Sequence, residues 1–441
     1  MSPFSSFWQA GYEGADHINP FGERLSMNAL TDHLSQYHND YAALQQFGIT
    51  SARESIGWRL AEMEPQTTLE SLKKRMNSAR SFGVQINWTF CHYGWPDDLT
   101  LFSSEFVPRF AAFCQRMAGF LAEYYEDAPI YSPMNEISFM AWGISVGLFG
   151  NNAHTDPDEI KRQLIRATLA GCAAIRLADP RARFLHCDPI IHVVPDEDSD
   201  ACRQRTRDIN ASQYQAWDMI VGLREPELGG KPHYLDVVGA NYYHGNQWLT
   251  GSGCRLEWHL GDARRVPLHP LLAQLTERYQ RPILLAETSH VGSGRAAWIS
   301  QVTADVAQAQ LNGCDIRGIC LYPIIDRPLW EDLEHWPRSG LWDVDPHKKR
   351  LLNPVYAASL QQSQRLLARF QGLITAASRP EESVMKQSVL VVFSHLRWGF
   401  VFNVHSIYCR ASPSSTALCL SKSRFISPVK PRYANISPHP M

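Results

Sequence analysis

The sequence predicts an α/β protein, in which a single (β/α)8 barrel, or TIM barrel, is followed by a tail that we expect to be disordered. From Phe7 to about Arg369, short β-branched or apolar runs alternate with longer amphipathic stretches, as in repeated βα units on a parallel sheet. The strand-like runs number eight, and each is followed by a helix-like segment. This count favours a closed barrel over an open doubly wound sheet. We expect the barrel to occupy residues 1–375.

The elements of the barrel are assigned in order along the chain. The strand candidates are Phe7–Tyr12, Ile49–Ser55, Val84–His92, Ile130–Asn135, Arg183–Asp188, Leu235–Tyr243, Pro282–Glu287 and Ile316–Pro323. The helix candidates are Ser35–Phe47, Leu69–Phe82, Glu105–Tyr125, Asp158–Leu177, Ser212–Leu223, Leu271–Tyr279, Arg295–Asn312 and Pro354–Phe370. No GxGxxG or Walker-type phosphate loop follows any of these strands, so we expect no nucleotide or other cofactor.

Composition narrows the range of partners. The 441 residues carry a net charge of −2, which gives no reason to expect nucleic acid as a partner. The N-terminus has neither a basic nor a long apolar region of the signal-peptide kind. No uncharged apolar run approaches the roughly 20 residues of a membrane span. These observations predict a cytoplasmic protein without a membrane partner, and they leave its oligomeric state open.

Cysteine and histidine do not form metal-binding patterns. The ten cysteines are scattered without CxxC pairs, and the 17 histidines include no HExxH motif. We therefore expect no disulfide framework and no metal site. Burial as small apolar side chains is the state that we expect for cysteines in strand-like runs, such as Cys187 and Cys320.

The end of the chain differs in composition from the rest. We assign residues 376–441 to a linker and a basic, Ser/Pro-rich tail. From Met385 onward there is no Asp or Glu, there are seven Lys or Arg, and the last residues are rich in Ser and Pro, which predicts disorder. Residues 388–402 have the pattern of a strand and loop that would open a new domain.

Two carboxylates stand at the ends of predicted strands. Glu136 follows the fourth strand, and Glu287 ends the seventh. Barrel enzymes carry their reactive groups at the C-terminal ends of the strands, so both belong to one cleft. Such a pair can divide the work of cleaving a glycosidic bond, with one group donating a proton and the other attacking carbon. For either Glu alone, a helix cap or an ion pair with Arg explains the position about as well.

The motifs around these residues resemble a known family. The motifs are Arg53–Trp58 (RESIGW), Phe90–Pro96 (FCHYGWP), Asn135-Glu136, Asn241–Tyr243 (NYY) and Ala286–Thr288 (AET). In this order they resemble the family 1 glycoside hydrolases, which are β-glucosidase-like members of a clan of retaining (β/α)8-barrel glycosidases. The resemblance covers roughly residues 7–370, and its weight lies in the order of the motifs, because each tripeptide alone is weak.

The resemblance implies roles for individual residues. Glu136 would be the acid/base and Glu287 the nucleophile, and Asn135 would donate to the sugar 2-hydroxyl. Tyr243 and Arg53 would flank the nucleophile, where a cation and a phenol stabilise a carboxylate. The further substrate-binding residues would be His92, Asn241, Tyr322 and Trp330. For His92, a core histidine bonded to a neighbouring loop is the alternative.

The chain departs from the family pattern at the sugar-binding end. The family has a Glu-Trp pair that holds the 4- and 6-hydroxyls of the sugar, and here the Glu is replaced by Leu329. Tyr93 and Tyr322 stand where the family has Trp, and Glu13 falls near a sugar-binding Gln. These changes predict retained catalysis with altered recognition of the substrate.

The tail has a resemblance of its own. The run VLVVFSHLRWGFVF is similar to the opening strand and loop of certain nucleotide-sugar glycosyltransferase domains, and the similarity stops after Phe402. A second domain that is truncated or frame-altered soon after its start is one explanation, and a basic tail of unrelated origin is the other.

Three functional hypotheses follow. The first is a retaining hydrolase of a β-linked small-molecule or oligosaccharide glycoside. A transglycosidase would use the same two Glu residues. The third is a carbohydrate-binding barrel without turnover, which the change at Leu329 favours and the presence of both Glu residues opposes. The sugar, the linkage and the aglycone stay open.

Overall fold

Eight parallel strands close into a barrel in the computed structural model, which describes residues 2–150 and 156–377. The strands are β1 (Trp8–Gly11), β2 (Ser51–Ser55), β3 (Gln85–Cys91), β4 (Ile130–Met134), β5 (Arg183–Pro189), β6 (His192–Val194), β7 (Val237–Asn241), β8 (Gln247–Leu249), β9 (Ile283–Thr288), β10 (Ile316–Leu321), β11 (Trp342–Val344) and β12 (Arg350–Leu352). The barrel order is β1-β10-β9-β7-β5-β4-β3-β2, and β1 pairs in parallel with both β2 and β10. The predicted (β/α)8 barrel is confirmed, and each predicted strand overlaps a barrel strand.

Helices surround the barrel. They are α1 (Met27–Leu30), α2 (His33–Leu44), α3 (Trp58–Met63), α4 (Pro65–Ser81), α5 (Phe106–Ala122), α6 (Ile137–Ser145), α7 (Pro157–Ala178), α8 (Asp200–Ser212), α9 (Gln215–Val221), α10 (Leu268–Tyr279), α11 (Arg295–Leu311) and α12 (Pro354–Ala377). Each helix candidate overlaps one of them. The two short sheets β6–β8 and β11–β12 lie outside the barrel.

The main core lies between the strands and the helices. On α5, Phe106, Phe110 and Phe113 recur at the spacing that puts side chains on one face of a helix, and all three are buried. Trp58, at the start of α3, packs against them with ring centroids 4.8 Å from Phe110 and 5.2 Å from Phe106. The barrel strands are buried along nearly their whole length, as expected for a parallel sheet covered by helices.

A second, smaller core fills the barrel interior. Because side chains alternate along a strand, Ile283 and Leu285 of β9 join the main core, whereas Leu284 and Ala286 belong to a separate small cluster. That cluster also contains Phe4, Ile130, Leu185, Cys187 and Val237. Polar residues follow it toward the C-terminal ends of the strands, which is where a site can form.

Two further features concern a membrane span and the division of the chain. Within the described ranges, no helix combines the length and the apolar character needed to cross a bilayer. The predicted division of the chain at residue 375 stays a prediction. Residues 378–441, which include the strand-like run 388–402, lie outside the described part of the chain.

Candidate active site

The two predicted carboxylates lie at the C-terminal ends of β4 and β9. Asn135 and Glu136 directly follow β4, and Glu136 begins α6 with a left-handed backbone, φ 45°. Glu287 is the penultimate residue of β9. Two barrel strands separate β4 from β9 on one side and four on the other, so the carboxylates meet across the barrel mouth. Glu136 is 7% exposed and Glu287 is 4% exposed.

Glu136 is buried beside two hydrogen-bond donors, one from the loop after β3 and one from the end of β7. The Tyr93 hydroxyl donates to its Oε2, and the Asn241 amide donates to Oε1 at 2.9 Å. Burial raises the pKa of Glu136 to about 8, the negative charge of Glu287 adds to the increase, and the two hydrogen bonds oppose it. Glu136 therefore holds a proton at neutral pH.

Glu287 has different neighbours. Arg53 donates from Nη1 to Oε1 at 3.0 Å, and the Tyr243 hydroxyl donates to Oε2 at 2.8 Å. Arg53 is itself 1% exposed and also donates to the Ala286 carbonyl at 2.8 Å and to Asn135 Oδ1 at 3.0 Å. One guanidinium therefore fixes the relative position of the residues that end β4 and β9.

His92 and Asn135 extend this network away from Glu136 and Glu287. The Asn135 amide lies 3.2 Å from His92 Nε2 and also donates to the Tyr93 hydroxyl at 3.2 Å. Burial, followed by the charge of Arg53, keeps the pKa of His92 well below its usual value, so the ring is neutral. With Nε2 accepting from Asn135, the proton belongs on Nδ1, which lies 3.4 Å from the Tyr322 hydroxyl.

A charged pair lies beyond His92. Glu13 Oε1 is 3.7 Å from His92 Nε2, and Glu13 Oε2 is 3.6 Å from Arg327 Nε. The Ala15 backbone N–H donates to Glu13 at 3.1 Å. Burial raises the pKa of Glu13, and the charge of Arg327 opposes this effect. The sequence placed Glu13 near a sugar-binding position, but it gave no indication of Arg327 as its partner.

Aromatic rings form a wall beside Glu136. The Tyr93 ring stacks on Phe149 with centroids 4.8 Å apart, and the Trp330 ring meets Tyr93 edge-on at 5.5 Å. A cavity of about 290 Å³ adjoins this wall, and its lining includes His17, Arg59, Tyr93, Trp95 and Phe149.

The structure brings all nine predicted site residues together. Eight of them, all except Trp330, are joined by hydrogen bonds or the Arg53–Glu287 ion pair into one network that includes Tyr93. Trp330 joins through its ring contact with Tyr93. Sequence reasoning missed Tyr93 as a partner of Glu136, although the replacement of Trp by Tyr at that position was the available indication. In the described part of the chain, no group of three His, Cys, Asp or Glu side chains is arranged to hold a metal ion.

Together these features define a (β/α)8 barrel with a polar site at its C-terminal face, and the comparisons with known proteins agree on the fold. A β-glucosidase from Thermotoga maritima in complex with glucoimidazole is 15% identical, with a TM-score of 0.66 over 83% of this chain and 98% of that one. A family 1 β-glucosidase from the same organism is 16% identical, with a TM-score of 0.66 over 82% and 98%. The AHE enzyme from Alicyclobacillus herbarius is 16% identical, with a TM-score of 0.66 over 83% and 100%.

The comparisons of sequence found no match, in contrast to the comparison of structures. No protein-family model and no curated protein sequence matches this chain. The chain therefore shares the (β/α)8-barrel fold of these solved structures.

Proposed function

We propose that the protein is a retaining glycoside hydrolase that acts on a β-linked glycoside. The observation that carries this proposal is the pair of buried carboxylates in one site with different surroundings. Glu136 holds a proton, whereas Glu287 forms an ion pair with Arg53. Retaining glycosidases need this division between a proton donor and a nucleophile. The structurally similar Thermotoga β-glucosidase forms complexes with glucoimidazole, deoxynojirimycin and cyclophellitol, which supports a small glycoside as the ligand.

In the first step, Glu287 attacks the anomeric carbon and the bond to the leaving oxygen breaks. Glu136 gives its proton to that oxygen, so the leaving group departs as a neutral alcohol. Arg53 and Tyr243 hold the Glu287 oxygens in place for the attack. The product of this step is a glycosyl ester of Glu287.

In the second step, Glu136 acts as a base. It takes a proton from water, and the water oxygen attacks the anomeric carbon and releases Glu287. Glu136 regains its proton, and the configuration at carbon is retained because two inversions have occurred. The negative charge of Glu287 is neutralised in the ester, which lowers the pKa of Glu136 and suits it to this task.

The other site residues orient the sugar and the catalytic groups in this proposal. Asn135 and His92 present amide and imidazole groups to sugar hydroxyls, and Asn241 positions Glu136. Tyr322 and Trp330 offer ring faces, on which the apolar C–H face of a sugar packs well.

The test uses a panel of 4-nitrophenyl β-glycosides that differ in the sugar. We expect turnover of at least one, with the β-anomer as the first product in proton NMR. An α-anomer formed first would show an inverting mechanism. Turnover that passes the sugar to a second sugar in preference to water would identify a transglycosidase. Binding of sugars without turnover of any glycoside would favour the non-catalytic barrel, which is the candidate supported by Leu329.

A further inference from the structure

The loop after β10 carries two buried hydrogen-bond donors without a partner among the described residues. They are Arg327 Nε and Trp330 Nε1. The guanidinium of Arg327 lies 5.6 Å from the centre of the Trp330 ring, so the two donors are close together. Buried N–H groups are nearly always satisfied in native proteins, and an unsatisfied pair is a reason to look for a ligand.

The protein offers few acceptors to this pair. Arg327 donates from Nη1 to the Pro328 carbonyl at 2.9 Å. The nearest carboxylate oxygen, Glu13 Oε2, is 3.6 Å from Arg327 Nε, which is too long for a hydrogen bond. Leu329, between the two donors in the chain, has no polar group in its side chain. At Arg327 and Trp330 the loop therefore presents two donors and one positive charge, which faces Glu13.

This loop adjoins the proposed catalytic centre. Trp330 contacts Tyr93, whose hydroxyl donates to Glu136. Arg327 faces Glu13, which in turn lies 3.7 Å from His92. A sugar held by His92 and Asn135 would thus have Arg327 and Trp330 at its edge.

We infer that the sugar bound in this site carries a carboxylate, so that the substrate is the β-glycoside of a uronic acid, with Arg327 and Trp330 as donors to the carboxylate oxygens. The inference rests on the proposed function. Charge supports a carboxylate over a phosphate, because a phosphate monoester carries nearly two negative charges at neutral pH. Arg327 supplies one positive charge, and the nearby Arg53 is already paired with Glu287.

Glu13 is the group that would compete with such a ligand. Its carboxylate is the present charge partner of Arg327, but the contact is long and lacks a hydrogen bond. Burial raises the pKa of Glu13, which eases its protonation when a second carboxylate enters the site. Protonation of Glu13 would leave Arg327 free for the ligand.

The first experiment compares substrates on the wild-type full chain. The panel is 4-nitrophenyl β-D-glucuronide, β-D-galacturonide, β-D-glucoside, β-D-galactoside and 6-phospho-β-D-glucoside. We expect kcat/KM for one of the uronides to exceed that of every other glycoside by at least about tenfold. Preference for a neutral or a phosphorylated sugar would overturn the inference and leave the proposed function standing.

Two variants test the role of Arg327. Arg327→Gln should lower kcat/KM for the uronide by about 10- to 100-fold, because it removes a charge-assisted contact, and should affect the neutral glycosides less. The matched control is Glu13→Gln, which removes the other member of the pair and should keep or increase the preference for the uronide. If Arg327 serves only to neutralise Glu13, each variant will change kcat/KM for all substrates by the same factor. The ratio of kcat/KM between the uronide and the neutral glycosides will then stay as in the wild type.

Binding separates the inference from the proposed function. Titration calorimetry on the wild-type full chain measures the binding of D-glucuronate, D-galacturonate, D-glucose and D-galactose. This measurement needs neither turnover nor a folded variant. Binding of a uronate at least about tenfold tighter than either neutral sugar supports the inference, even if no glycoside is hydrolysed. Equal or weaker binding of both uronates contradicts it.

Discussion

Tyr93 and Asn241 donate hydrogen bonds to Glu136, and both lower its pKa, whereas burial raises it. Burial and the charge of Glu287 favour the protonated form of Glu136, whereas Tyr93 and Asn241 favour the ionised form. The pKa that results, about 8, lies near the pH at which a group can serve both as acid and as base. Small changes at Tyr93 should therefore appear directly in the pH dependence of the reaction.

The first prediction concerns this pH dependence. Because the first step needs protonated Glu136, kcat/KM of the wild-type protein should decrease as the pH rises through about 8. In Tyr93→Phe, the loss of a hydrogen bond to the ionised form should move the alkaline limb to higher pH. The matched control is Tyr131→Phe, since the Tyr131 hydroxyl is also buried but has no hydrogen-bond partner in the described residues. A shift to lower pH in Tyr93→Phe would contradict the role given to this hydrogen bond.

The second prediction separates the two carboxylates. Glu287→Ala should abolish turnover of every glycoside, because each one needs the nucleophile. Glu136→Ala should lower turnover of alkyl glycosides by about 10²- to 10⁴-fold and spare formation of the glycosyl intermediate from aryl glycosides with a good leaving group.

Azide then distinguishes the roles of the two residues. In Glu136→Ala it should attack the glycosyl intermediate and give the β-glycosyl azide, with retained configuration. In Glu287→Ala it should enter from the vacant side and give the α-glycosyl azide. Proton NMR of the two products is the measurement, and the opposite assignment of configurations would mean that the roles of Glu136 and Glu287 are exchanged.

At the scale of single elements, β2 contributes side chains both to the candidate site and to the helix layer. Arg53 points to the site, and the next residue, Glu54, points outward into the helix layer, since neighbouring side chains on a strand alternate. Glu54 accepts hydrogen bonds from His33 of α2 at 2.7 Å and from Arg75 of α4 at 3.0 Å, and a third from Tyr41. Burial by itself would raise the pKa of Glu54, but these neighbours together lower it.

The third prediction tests this buried ion pair. Glu54→Gln leaves Arg75 without its charge partner and removes one of the two carboxylates that bind His33, which keeps Asp40 at 2.8 Å. The substitution should lower the free energy of unfolding by about 3–5 kcal/mol. Exposed Glu70 of α4 provides the control, because Glu70→Gln should change the free energy of unfolding by less than about 0.5 kcal/mol. Urea denaturation at pH 7 measures both.

The stability of the protein at acidic pH gives a second test of the contacts around Glu54. The folded protein lowers the pKa of Glu54, so its stabilising contribution is complete at neutral pH and is lost as the pH falls from about 4.3 toward the folded-state pKa. The difference in stability between the wild type and Glu54→Gln should therefore shrink in acid. A difference that does not depend on pH would indicate lost packing and no contribution from the charge.

At the scale of the whole molecule, closure of the barrel is what creates the site. The pairing of β1 with β10 joins the two ends of the sheet, and it brings Glu13 from the loop after β1 next to Arg327 from the loop after β10. The site residues come from the ends of β2, β3, β4, β7, β9 and β10, so no fragment of the barrel contains a complete site.

The fourth prediction concerns the end of the chain. Deletion of residues 385–441 should leave the melting temperature and any glycosidase activity unchanged, because an acid-free composition rich in Ser and Pro is typical of segments that do not pack on a folded domain. Scanning calorimetry and kcat/KM on the best aryl glycoside are the measurements. A loss of several degrees in melting temperature would show that the segment contributes to the stability of the barrel.

The strands and most helices were predictable because their apolar residues repeat with the period of the element. Helix α8 was not, since Thr206 is the buried residue of a segment that is otherwise almost entirely polar. Helix α6 was missed for the opposite reason, because its sequence, ISFMAWGIS, is apolar on nearly all sides and shows no helical period.

The sequence by itself determined that the chain forms a barrel and that Glu136 and Glu287 stand at strand ends, since both follow from local patterns along the chain. Only the tertiary structure decided the surroundings of each carboxylate, which raise the pKa of Glu136 and pair Glu287 with Arg53. The pKa of Glu136 depends on burial and on Tyr93, Asn241 and Glu287, which lie on or just after three other strands. The pairing of Arg327 with Glu13 likewise joins the loops that follow β1 and β10, the first and the last barrel strands along the chain. Such contacts between distant parts of the chain leave no periodic pattern in the sequence, because folding alone brings their members together.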